Sequence, residues 1–251
     1  MDETSSLRPS YLDSLEIDTP HVSSLARVIS RSKLANSFSR IRNLRFESLF
    51  ALKSGWDIIL LASQTLTTLD FTSQGGGKFR LDIASHLRYT DTHAKILPDD
   101  ARAFSDLLKD FPFDLGRLPA LRLLKFQLPI WSEHNSFILS FLISLLSISS
   151  SPSGIETLDL EIILRGLGSE DEIADLFASG PGSEWDTLDE VLTNSETFAS
   201  LRKVVLDLSL KVHSRHRNSG YDNLALSYVN DLFPMFKRRD CTLETHVQLH
   251  K

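Results

Sequence analysis

The feature that most constrains this chain is a short apolar pattern, apolar-x-x-apolar-x-apolar, that keeps returning in a sequence where 43 of 251 residues are leucine. It reads as Leu12-Leu15-Ile17, Ile41-Leu44-Phe46, Leu66-Leu69-Phe71, Leu121-Leu124-Phe126, Ile155-Leu158-Leu160 and Leu201-Val204-Leu206. The first apolar positions lie 29, 25, 55, 34 and 46 residues apart, wider and less even than the 20 to 29 of regular leucine-rich repeats. In so apolar a chain three-position matches also arise by chance, so the pattern has weight only with its surroundings.

Those surroundings alternate. Strand signals at Tyr11–Ile17, Phe38–Phe46, Leu66–Phe71, Leu121–Leu128, Ile155–Leu164, Leu201–Val212 and Thr242–Leu249 are separated by helical periodicity at Val22–Ile29, Leu49–Ala62, Ser136–Ser149, Trp185–Leu192 and Asp222–Phe233, the last stopped by Pro234. A parallel sheet with helical crossovers requires this alternation. The predicted fold is α/β: an irregular leucine-rich-repeat-like solenoid, with a parallel sheet and helices on the convex side. A single domain over 1–251 is expected, with a looser junction at 73–118. That stretch holds the turn Gly75-Gly76-Gly77, a strand signal at Phe79–Ile83, a helix signal at Asp99–Leu108 and a proline-bearing loop at Phe111–Leu118. Gly166–Ser183 reads as another loop.

Composition narrows the setting. One cysteine, Cys241, permits no internal disulfide, and there is no Asn-x-Ser/Thr site. The acidic, polar start Met1-Asp2-Glu3-Thr4 is unlike a signal peptide, so an intracellular location, cytoplasmic or nuclear, is expected. The most apolar run, Phe137–Ile148, is broken by Ser140, Ser144 and Ser147 and reads as a buried helix rather than a membrane span. Net charge is −6, unevenly spread: eleven acids stand against Arg165 alone between Glu156 and Glu190, while Lys211, Arg215, Arg217, Lys237, Arg238 and Arg239 make the last part basic. Such asymmetry steers a charged partner or keeps an outer surface solvated.

Constellations with catalytic or cofactor chemistry fail on their neighbours. Gly75-Gly76-Gly77-Lys78 has Phe79 where a phosphate loop needs Ser or Thr. His213 with His216, and His246 with His250, supply too few ligands for zinc. Cys241 has no local signature of a thiolate nucleophile. Asp99-Asp100 and Glu170-Asp171-Glu172 fit helix starts or loops. A pI near 5.7 argues against a large phosphate footprint, so nucleic acid is not the expected partner. Trp56 and Trp185 open apolar helical stretches and are expected to be buried between helix and sheet. No catalytic residue, cofactor or metal site is assigned.

Two segments carry a family resemblance. Trp185-Asp186-Thr187-Leu188-Asp189 leading to Phe198 and Leu201-Arg202-Lys203-Val204-Val205-Leu206 resembles the irregular leucine-rich-repeat region of F-box-type proteins from mushroom-forming fungi. Trp56 with Leu66–Phe71, and Leu118–Phe126, look like further copies. The resemblance implies a substrate receptor of a ubiquitin ligase. The F-box helical segment that docks the ligase adaptor is not recognisable, since Leu7-Arg8-Pro9 leads straight into a strand-like repeat.

Side chains alternate along a strand, so where the patterned apolar residues point inward the intervening ones point outward. The outward set is Asn43, Arg45, Thr68, Asp70, Leu123, Lys125, Thr157, Asp159, Lys203 and Val205. Mixed in charge, it suits a protein partner, and the expected function is a non-catalytic protein-protein interaction module. The alternative is an α/β enzyme with its site at the carboxyl ends of the strands.

Overall fold

The computed structural model describes residues 12–18, 21–31, 38–47, 52–72, 113–131, 135–149, 151–167, 170–177, 183–212 and 221–250. Gly75–Gly77, the strand signal Phe79–Ile83, the helix signal Asp99–Leu108, and His213 and His216 lie outside them. The strands are β1 (Ser14–Ile17), β2 (Asn43–Phe46), β3 (Thr68–Phe71), β4 (Leu123–Trp131), β5 (Thr157–Leu167), β6 (Lys203–Val212) and β7 (Thr242–His250). The helices are α1 (Val22–Arg31), α2 (Leu52–Leu61), α3 (Asn135–Ser147), α4 (Glu170–Leu176), α5 (Glu184–Thr193), α6 (Tyr221–Asp231) and α7 (Pro234–Lys237). The chain is therefore α/β, with one seven-stranded, all-parallel sheet whose strand order follows chain order, β1 to β7.

The repeated apolar pattern sets this register. Its middle residues stand side by side as Leu15, Leu44, Leu69, Leu124, Leu158 and Val204, and Leu243 of β7 continues the row. The third residues of three consecutive strands form an aromatic ladder: Phe46, Phe71 and Phe126 stack with ring centroids 5.5 Å apart at each step. From β2 to β6 all three patterned residues are buried. In the first unit only Ile17 is; Leu12 is 38% exposed, as befits an edge strand with no earlier neighbour among the described residues.

The pattern's first apolar residue precedes the strand instead of opening it. Ile41, Leu121 and Leu201 donate their backbone N–H to the carbonyls of Phe38, Leu118 and Phe198, closing a turn with buried ends just before the strand in each of those units. At the strand entry each unit's carbonyl then accepts two N–H groups from the next unit: Asp13 from Arg42 and Asn43, Arg42 from Thr67 and Thr68, Thr67 from Arg122 and Leu123, Arg122 from Glu156 and Thr157, and Glu156 from Arg202 and Lys203. Arg122 adds Nη1 contacts to the carbonyls of Pro119, Leu121 and Gly154. A Cβ at Gly154 would meet that Nη1 at 2.3 Å and the Pro119 carbonyl oxygen at 3.0 Å, so this placement of the Arg122 guanidinium depends on the glycine.

One sheet face is buried in a single hydrophobic cluster with the apolar sides of the helices. In α3, Leu139, Leu142, Leu145 and Leu146 are buried, while Ser140, Ser144 and Ser147 form an exposed stripe. Ser144 and Ser147 turn their hydroxyls back to the carbonyls of Ser140 and Ile143, which lets polar residues sit in so apolar a helix. The helix expected to be buried is thus half-exposed. Trp56 and Trp185 are both buried, as expected; Trp56 packs on Phe113 at 4.9 Å, and Trp185 donates Nε1–H to the Leu176 carbonyl at 2.8 Å.

Two helices differ from the sequence reading. α4 lies within the segment read as the loop Gly166–Ser183, and its Ile173 and Leu176 reach the core. Pro234, read as a stop for the preceding helix, also opens α7, because a proline lacks only an N–H that a first helical position leaves unpaired. Across the expected junction, β3 pairs directly with β4, and Phe113, Leu115 and Leu118 are buried, so the sheet continues through it.

Candidate interaction surface

The other sheet face is half-exposed. The register brings the outward residues into two rows: Asn43, Thr68, Leu123, Thr157 and Lys203, then Arg45, Asp70, Lys125, Asp159 and Val205. All ten are intermediate in burial, while the residues between them on the same strands are buried. The edge strands extend the rows with Ser14 and Thr242, and with Glu16 and Glu244. A third row, Gln127, Glu161, Asp207 and His246, follows one outward position further along β4 to β7.

The sequence reading left out that third row because it followed the repeat pattern only to its last apolar residue. The signal was available: alternation continues through Leu128, Ile162, Ile163, Leu164, Leu208 and Leu210, with the polar residues falling on the outward side except at Ile163. Ile163 is an outward residue that is itself buried, 7% exposed.

Charges alternate across the second row, and neighbours in it pair. Arg45 Nε lies 3.6 Å from Glu16 and donates, with Nη2, to the Thr72 carbonyl at 3.0 and 2.9 Å. Lys125 Nζ is 2.6 Å from Asp159, and Lys203 Nζ is 2.7 Å from Glu244. Gln127 donates to Glu161 at 2.9 Å. Burial pulls the Lys125 ammonium down, but the hydrogen bond to Asp159 and the charges of Asp159, Asp70 and Asp207 outweigh it and hold the group above its ordinary value. Burial raises the Asp207 carboxyl, and repulsion from Asp159 adds to it; His246 and Lys125 only partly oppose this. At the other end, burial and the charges of Asp18 and Glu16 raise Glu47.

Over β1 to β3 the face dips into a groove of about 340 Å³ lined by Ser14, Glu16, Asn43, Arg45, Thr68 and Asp70, among others. Among the described residues no group of three or more His, Cys, Asp or Glu is placed to hold a metal ion, and no helix is long and apolar enough to cross a membrane. Cys241 is half-buried, its Sγ 3.4 Å from the Leu201 carbonyl oxygen.

The chain matches no protein-family model, no curated protein and no solved structure.

Proposed function

We propose that the chain is a leucine-rich-repeat-like solenoid that works as a protein-protein interaction module, with the outward sheet face as its binding surface and the helices on the convex side. The observation that carries this reading is the contrast between faces: one is buried in the hydrophobic cluster with the helices, and the other presents polar rows that are half-buried on β2 to β6, closing over only at Gln127, Ile163 and Ser209. The resemblance to F-box-type receptors suggests the role, presentation of a bound protein to a ubiquitin ligase. An enzyme with its site at the strand carboxyl ends is the less favoured reading, since it looks for a crevice where strand order reverses. The described strands run in chain order without such a reversal.

The test is partner capture with the chain as bait. Joint replacement of Asn43, Arg45, Asp70 and Lys125 by alanine is expected to abolish the capture seen with the parent chain. The melting temperature should move by only a few degrees, because substitutions away from a packed core usually change stability little. Capture that survives these replacements and is lost on neutralising the acidic stretch Glu170–Asp175 would move the interface to the helical side.

A further inference from the structure

The three rows of the outward face carry six acids, Glu16, Asp70, Asp159, Glu161, Asp207 and Glu244, against the cations Arg45, Lys125 and Lys203, while Arg165 and Lys211 stand two outward positions further along β5 and β6. Lys125 faces three carboxylates, Asp159, Asp70 and Asp207, and its short contact goes to Asp159. Arg45 is engaged with Glu16 and the Thr72 carbonyl, and Lys203 with Glu244. Asp70 Oδ1 is buried and receives no hydrogen bond. Asp207 has only the longer-range attraction of Lys125 and His246 to set against its burial and the charge of Asp159, and its neighbour Glu161 is met by the neutral amide of Gln127. Asp70 also lines the groove over β1 to β3, so a cation brought there by a partner adds to Lys125 in complementing its carboxylate.

Resting on the reading of this face as a protein-binding surface, we propose that it takes a basic segment of its partner: extended chain carrying two Lys or Arg side chains, one placed at Asp70 and one at Asp207. The two acids sit three strands apart with an offset of one outward position. At strand spacings of about 4.8 Å and about 3.3 Å per residue, that is roughly 16 Å. About five residues of extended chain cover it, so the two cations belong four to six residues apart. The groove over β1 to β3, with Asp70 in its lining, receives the first cation. The second lies among Asp207, Glu161 and Asp159. Such a complex weakens as salt screens the exposed parts of these pairs.

The experiment is a selection of random dodecapeptides displayed on phage against the full chain, followed by titration of a synthetic winner. Enriched sequences are expected to carry two Lys or Arg at the stated spacing. Binding should fall at least tenfold when Asp70→Asn and Asp207→Asn are combined, and fall again at high salt. Both substitutions keep side-chain shape, and Asp207→Asn removes the repulsion from Asp159 while Asp70→Asn gives up an attraction to Lys125, so the variant is expected to melt close to the parent; if the pair fails to fold, Asp207→Asn alone is measured. Winners that are neutral or acidic, yet lose binding on Arg45→Ala with Lys125→Ala, overturn the basic segment while leaving the face as the binding surface. Winners indifferent to every outward replacement overturn the reading of the face itself. Absence of any enriched sequence overturns the basic segment.

Discussion

Asp189 ties together parts of the chain far apart in sequence. It sits on α5, almost fully buried, and its carboxylate accepts the backbone N–H groups of Met235 at 2.7 Å and Phe236 at 2.9 Å, capping the start of α7. Burial raises this carboxyl against the pull of the two hydrogen bonds. Phe233, just before that helix, is held at a φ of 58° with its ring buried, and the cap fixes the reversal. Asp189→Ala leaves the buried Phe236 N–H and the partly buried Met235 N–H without a partner and is expected to cost about 1–3 kcal/mol in a urea titration. Asp189→Asn, which keeps one acceptor oxygen, should cost less. The opposite sign is expected at Asp207. Its carboxyl is raised from an ordinary value of 3.8, so the folded chain holds that proton more tightly than the unfolded chain does. The resulting stability is full below the ordinary value and is lost as pH rises through the raised one. Asp207→Asn should therefore be more stable than the parent at neutral pH, with the advantage gone near pH 3; a constant difference across pH would contradict the electrostatic account of this residue.

Strands and helices were legible to different degrees. The pattern Leu66-Leu69-Phe71 and its counterparts located the strands, because burial on one face imposes a period of two on any strand with a solvated side. It did not locate their starts: Leu121 and Leu201 are as buried as strand residues, yet they close turns, and hydrophobicity alone does not separate the two. α4 was hidden by its acidic opening, Glu170-Asp171-Glu172, which reads equally as a loop. The ten outward residues of the candidate surface follow from alternation within the repeat pattern, whereas Asp207 and His246 fall inside the strand signals Leu201–Val212 and Thr242–Leu249 but beyond the pattern from which the outward set is read. A register of this kind makes a sharp prediction. Leu124→Ala, Leu158→Ala and Leu206→Ala should each destabilise by roughly 2–5 kcal/mol. Leu123→Ala and Lys203→Ala, one residue out of phase, should cost far less. Equal losses in the two groups would place the strands one residue out of register.

At the scale of the whole molecule, each strand pairs with its neighbours in sequence, so the sheet grows by addition, with one face in the core and the other half-buried over most of its rows. Edge strands β1 and β7 carry Glu16, Glu244 and His246 outward, charges that discourage edge-to-edge association. The central claim is that this polar face is open in the free chain and available to a partner. Carbodiimide labelling of carboxyl groups, read by peptide mass spectrometry on the folded chain alone, tests it most directly. Glu161, Asp207 and Glu244 are expected to label more slowly than Glu190 and Asp231 on exposed helix positions, yet well above Asp189, which is protected. Protection of Glu161, Asp207 and Glu244 to the level of Asp189 would mean that the face is already covered, and would contradict the account.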